Sequence, residues 1–256
     1  MKAESPGAQP KRSRRTASRE LEGFLALAER WRRGEAKTGD LAEAQRAAAG
    51  RLVFEDRFER PLKAIAGVDA SFLGHRAFAA AVVLDYESAT VLEERTTACA
   101  EPATYLPGLL VFREGPVMVE AVQALETPFQ VLMVNSHGLA HPRRCGAASH
   151  IGLLLDTPTI GVAASLLCGK TCGSPKRPGE WLPVLCDGET VGAAGIPAPG
   201  MKPIYISPGH MISVGSSVEI TARLLRGKRL PEPLAVAHAA ALRARDNSEK
   251  FRSPTV

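Results

Sequence analysis

The chain has 256 residues, with 32 Lys or Arg against 27 Asp or Glu and 45 % hydrophobic residues, enough apolar material for one large domain or two small ones. No apolar run reaches the ~20 residues of a membrane-spanning helix, and the polar stretch Met1–Arg15 lacks the apolar segment of a signal peptide. Five scattered cysteines suit reduced thiols better than a disulfide framework, so a cytoplasmic protein with no membrane partner is expected.

The charge is uneven. Residues 1–19 hold six Lys or Arg and one Glu, and the remainder balances. A basic arm of this kind is either drawn to a polyanion or simply solubilising. Residues 1–18 read as disordered. Periodicity predicts a helix over Glu20–Arg33, with Leu21, Phe24 and Leu25 on one side. Asp40 can cap a second helix, Leu41 to about Ala49, with Glu43 three residues on. Three strands follow, Ala64–Ser71, Ala77–Leu84 and Thr90–Ala98, the last two joined by the turn D-Y-E-S. They make an antiparallel meander. Pro102 to Gly108 is a loop, and Gly115-Pro116 opens a helix over Val117–Leu125.

From there strand (130–134), helix (143–154) and strand (158–162) alternate, which implies parallel neighbours joined by crossovers. Pro142 suits the start of the 143–154 helix, because its missing N–H costs nothing there. Gly- and Pro-rich residues 173–201 contain short strands at Trp181–Leu185 and Val191–Ala194. A further strand, Ile204–Ser207, and helices at about 215–226 and 233–245 complete the chain. The expected fold is α/β: one mixed sheet flanked by helices over residues 39–245. A basic, partly disordered extension (1–38) precedes it and a flexible tail (246–256) follows.

Ligands in open α/β sheets bind beyond the carboxyl ends of strands. The stretch V-L-M-V-N-S-H-G-L-A-H-P-R-R-C-G-A-A-S-H, Val131 to His150, places His137, His141 and His150 beyond such an end, with Arg143 and Arg144 between them. Two acids stand at other element ends. Asp69 lies in the apolar strand I-A-G-V-D-A-S-F, where a carboxylate must be paired, bind a metal or reach solvent. Glu114 lies in L-L-V-F-R-E-G-P before a helix, a place that also suits the helix dipole. With the carbonyl oxygen of Asn135 they could form an oxygen-ligand site for a hard divalent ion. Cys168 and Cys172, spaced C-x3-C, have no second pair at zinc-site spacing.

Five segments, G-V-D-A-S-F, Y-L-P-G-L-L-V-F-R-E, H-G-L-A-H-P-R-R-C-G-A-A-S-H-I-G, P-T-I-G-V-A and P-I-Y-I-S-P-G-H, resemble the endonuclease V family in that order, over about Asp40 to Ala240. The resemblance implies a ribonuclease-H-like fold. It also implies Mg²⁺-dependent cleavage, with Mn²⁺ as a substitute, of DNA or RNA holding a deaminated adenine, one nucleotide to the 3′ side. Asp69 and Glu114 match the family's first two metal-binding carboxylates. His141, His150 and His210 match its histidines near the active site, His141 and His210 being taken as catalytic. Tyr105 matches the aromatic of its strand-separating wedge, although Thr104 stands where Pro is usual. Pro107, Gly108, Gly138, Arg143 and His150 are grouped with Tyr105 as nucleic-acid contacts. A monomer is expected.

Two departures stand out. Asn135 occupies the place of the family's third metal-binding Asp, and Ala164 that of its catalytic Lys; Lys170, six residues on, cannot take that place without a rearranged loop. The segment A-A-G-I-P-A also lacks the family's usual Arg. The expected function is therefore an endonuclease V-type nuclease in repair of deaminated bases, with weakened chemistry. The alternative is a homologue that binds such nucleic acid without efficient cleavage.

Overall fold

The computed structural model describes residues 14–100 and 103–250. Nine strands form one sheet in the order β3-β2-β1-β4-β5-β9-β8-β7-β6. The meander is β1 (Ala64–Leu73), β2 (Arg76–Asp85) and β3 (Val91–Ala100). It pairs antiparallel, with Asp69 opposite Ala80 in β2. On its other edge β1 runs parallel to β4 (Val131–Val134), and β4 parallel to β5 (Thr159–Ala163). The crossovers are α3 (Val111–Gln123) and α4 (Ala147–Leu155). Beyond β5 the pairing turns antiparallel through β9 (Ile204–His210), β8 (Glu189–Gly195), β7 (Trp181–Cys186) and the two-residue β6 (Lys170–Thr171). This is the expected ribonuclease-H-like α/β sheet, and β6 is an addition to the predicted elements.

Strand alternation divides the core. On one face Ala66, Val68, Ala79, Ala81, Leu132 and Val134 pack against α1 (Arg14–Arg32), α2 (Thr38–Ala49), α3 and α4. On the other, Ile65, Val82, Met133, Ile160, Val162 and Ile206 meet α5 (Val214–Arg223) and α6 (Glu232–Lys250). Each face is thus sealed by helices, as a sheet with parallel strands at its centre requires. Alanines and glycine bring α6 very close: Ala80 packs on Ala240 and Ala241, and a Cβ on Gly67 would stand 2.4 Å from the Pro233 carbonyl oxygen. That approach carries α6 alongside β1.

Several boundaries differ from the sequence reading. The helix α1 begins at Arg14, so the predicted disorder fails over 14–18; residues 1–13 lie outside the described residues, as do 251–256 of the predicted tail, whereas 246–250 continue α6. Helix α2 opens at Thr38, and Asp40 is not the cap; its Oδ2 accepts from the Lys37 backbone N–H at 2.9 Å, three residues back. Helix α3 starts at Val111 and runs through Pro116, because burial of Val111 and Phe112 favours the earlier turn. Helix α4 starts at Ala147, not beside Pro142. Residues 141–144 form a tight turn, with Arg144 at φ 56° and its N–H on the His141 carbonyl at 2.8 Å.

Candidate active site

Register sets the centre of the site. Val68 of β1 pairs with Val134 of β4, so Asp69 and Asn135 are the next residues on two parallel neighbours, just past their last parallel pair. Asn135 follows the end of β4, whereas Asp69 lies within β1, which runs on to Leu73, and not at a strand end as expected. Asp69 is 4 % exposed. Its Oδ1 accepts from the Ala70 N–H at 2.9 Å, and its Oδ2 faces Nδ1 of His238 at 2.7 Å. The Asn135 side chain hydrogen-bonds the same carboxylate. Burial raises the Asp69 pKa, and the bonds from His238, Asn135 and Ala70 hold it back. Glu114, in the first turn of α3, is pushed up to about 8 by burial and then by the Asp69 charge. Two acids therefore lie close together, and the Asp69 charge opposes ionisation of Glu114.

Beside them lies a pocket of about 300 Å³ whose walls include Tyr105, Asn135, His137, His141 and Ala164. Asn135 belongs to both: it lines the pocket and bonds Asp69. Tyr105 stands at the lip, 55 % exposed, with Pro107 exposed next to it. The loop that carries them is braced from below. Gly108, at φ 76°, offers its carbonyl to His141 Nε2 (3.0 Å) and Arg143 Nη2 (2.6 Å). Arg143 Nε also donates to Gln45 Oε1 of α2 at 2.7 Å, and Nδ1 of His141 accepts from the Arg143 N–H at 3.1 Å. Burial above all lowers the His141 pKa to about 4, so it is a neutral strut with both ring nitrogens engaged. Arg143 likewise holds the loop.

The remaining residues singled out from the sequence lie elsewhere. Gly138 is buried against β9: its N–H reaches Ser207 Oγ at 2.8 Å, and a Cβ there would stand 2.2 Å from the Pro208 carbonyl oxygen. His150 is a correction. It is buried in the helical core with its ring 4.9 Å from that of Phe24 and 5.7 Å from that of Phe112, because α4 turns it away from the pocket and under α1. His210 is another. Since β9 runs antiparallel to β5, His210 pairs with Thr159 at the start of β5, while the pocket lies past Ala163 at its end; its Nδ1 accepts from the Val53 N–H at 3.3 Å. Neither histidine is placed for chemistry with Asp69.

Sequence reasoning missed His238. The signal was faint: a histidine in the alanine-rich run A-V-A-H-A-A-A-L, outside every matched segment. Only the close packing of α6 on Gly67 brings it to Asp69. Gln45, buried on α2, was missed for the same reason of distance along the chain.

An oxygen-only donor set of Asp69, Glu114 and the Asn135 amide suits a hard divalent ion. A cation between the acids would offset both the burial and the Asp69 charge that raise the Glu114 pKa. The fit is of reduced charge: among the described residues no three His, Cys, Asp or Glu side chains are grouped to hold a metal. Among the same residues no helix is long and apolar enough to cross a membrane.

Comparison with known proteins accounts for this arrangement. The Endonuclease V family model matches residues 46–239. The endonuclease V of Methanothrix thermoacetophila is 41 % identical over 209 residues, covering 82 % of this chain and 92 % of that protein. The crystal structure of endonuclease V from Streptomyces avermitilis superposes with a TM-score of 0.77 at 32 % identity, covering 84 % of this chain and 95 % of that one. A point variant of Ciona intestinalis endonuclease V, solved with a 23mer DNA containing an inosine followed by a ribo-adenosine, gives 0.71 at 25 % identity, covering 82 % and 97 %. Matched from α2 to α6 in sequence and across the sheet in structure, this chain belongs to the endonuclease V family of nucleases.

Proposed function

We propose that the chain acts on inosine-containing nucleic acid as an endonuclease V-type hydrolase, cutting one nucleotide 3′ of the deaminated base in repair, and that its chemistry is slow. The observation that carries this reading is Asn135, shared between the acid pair and a pocket large enough for one base. Tyr105 at the lip would stack in the gap left when the base is drawn out, as base-flipping enzymes require. His238 holds Asp69 in place through Nδ1, and that bond opposes the rise in its pKa caused by burial. Asp69 and Glu114 would hold Mg²⁺ or Mn²⁺, with Asn135 as a neutral third ligand. Such an ion polarises a phosphoryl oxygen and lowers the pKa of bound water. The Ciona protein's complex with inosine-containing DNA supports the substrate class.

A second reading, a binder that seldom cuts, is favoured by one observation. The Asp69 carboxylate is already engaged by His238, Asn135 and Ala70. Cleavage and binding of one inosine oligonucleotide, followed over a Mg²⁺ series, separate the two. The expected result is preferential binding over the adenine control, slow metal-dependent cleavage, and a gain of at least about tenfold for Asn135→Asp with Ala164→Lys, since one missing charge-stabilising group commonly costs ~10²–10³ in rate. Brisk cleavage by the parent at low Mg²⁺ would refute the impairment. No gain in the folded double variant would mean that these two positions are not what limits it.

A further inference from the structure

The substrate of the proposed reaction is a polyanion, yet among the described residues the pocket walls carry no lysine or arginine. Most cations near the site are committed elsewhere. Arg143 braces Gly108 and Gln45. Arg144 pairs with Asp187 and Glu189. Arg113 binds the Ala103 carbonyl and lies over the Phe72 ring. A phosphate entering beside two carboxyls needs a cation from another source.

The segment between α5 and α6 holds one. Three of its side chains are basic, and two are anchored: Arg226 on the carbonyls of Glu87 and Ser88, Lys228 on the Glu232 carboxylate at 2.8 Å. Arg229 is different. It is exposed and leans onto the pocket rim, where its Nη2 donates to the carbonyl of Ala164 at 3.3 Å. Among the described residues no carboxylate neutralises it. A guanidinium has five N–H donors in a fixed fork, so the single bond to Ala164 leaves the rest of the fork to a ligand. Bidentate binding of a phosphate is the contact this geometry favours.

We propose that Arg229 binds a backbone phosphate of the substrate at the Ala164 rim of the pocket, supplying the cation that the walls lack. This rests on the nucleic-acid reading above but not on the identity of the base, because a phosphate contact carries no sequence information.

The test is fluorescence anisotropy over a salt series, with an inosine oligonucleotide and its adenine counterpart, for the parent, Arg229→Ala, Arg229→Lys and Arg226→Ala. Losing one phosphate contact lowers the slope of log affinity against log salt by ~0.9 on duplex and ~0.7 on single strands. Arg229→Ala should show that loss on both probes equally, with affinity down by roughly tenfold at low salt. Arg229→Lys should restore the slope, and Arg226→Ala should leave it near the parent's. An unchanged slope in Arg229→Ala, or an equal loss in Arg226→Ala, overturns the proposal. A parent without inosine preference, but with the Arg229 slope loss intact, would refute the base reading and keep the phosphate contact.

Discussion

Asn135→Asp is the perturbation that probes the centre of the site most directly. In the parent the Asn135 amide donates to the buried Asp69 carboxylate. The substitution removes a hydrogen bond to a charged acceptor, a loss of ~1.5–3 kcal/mol. It also sets a second negative charge beside the first, worth up to ~4 kcal/mol at about 4 Å in an effective dielectric near 20. The new acid escapes part of this by staying protonated, as Glu114 already does, so a net cost of about 2–4 kcal/mol is expected without metal. At this chain length that is a fall in Tm of roughly 5–15 °C. A divalent ion at about 100-fold its dissociation constant returns ~2.7 kcal/mol, so Mg²⁺ should restore most of the loss. Thermal unfolding of parent and variant, each in chelator and in Mg²⁺, reads all four states. The reasoning fails if the variant matches the parent in chelator, or if Mg²⁺ stabilises the parent as much as the variant.

Two further outcomes follow from the same geometry. Tyr105→Ala should weaken binding to an inosine duplex by about tenfold, from ~1–3 kcal/mol of base stacking, with little change in Tm because the side chain is exposed; equal affinities in a binding titration would remove Tyr105 from the lip role. Glu114→Gln should alter the pH profile of stability measured without divalent ions. The folded value of Glu114, about 8, lies above its ordinary 4.5, so the folded state keeps a proton that the unfolded chain has released. Stability from this group therefore falls as pH rises from about 4.5 to about 8. Gln cannot ionise, so the variant should gain on the parent across that interval and match it below; parallel profiles would contradict the burial of Glu114.

The sheet was legible because its signals are local. The meander shows as three apolar runs with a polar turn, and the crossovers show as alternation. The element ends were less so. Pro116 and Pro142 each look like helix starts, yet one lies inside α3 and the other in a turn, since burial of Val111 and Phe112 and the His141–Arg144 turn outweigh local preference. The site divides in the same way. Asp69, Glu114, Asn135 and Tyr105 sit in motif-bearing stretches and come together. His150 and His210 sit in equally good stretches but face the core or the wrong strand end, which strand direction and helix phase decide. His238 arrives from the far end of the chain through helix packing, which no local pattern records.

The two departures at the site are best understood as a pair. Relative to the pattern the sequence resembles, Asn135 removes a negative charge and Ala164 a positive one, so the net charge of the pair is kept. In this chain the Asn135 side chain engages Asp69, and Ala164 forms an uncharged stretch of the pocket wall whose carbonyl accepts from Arg229. Asn135→Asp alone adds an unbalanced acid to a space where Glu114 is already held protonated. Ala164→Lys alone adds a cation to a pocket wall on which Asn135 supplies no opposing charge. Each single change meets a site adjusted to the absence of the other, so their effects should couple rather than add, as contacting charges do. The double variant, not either single one, is therefore the proper measure of how much catalytic capacity the fold retains.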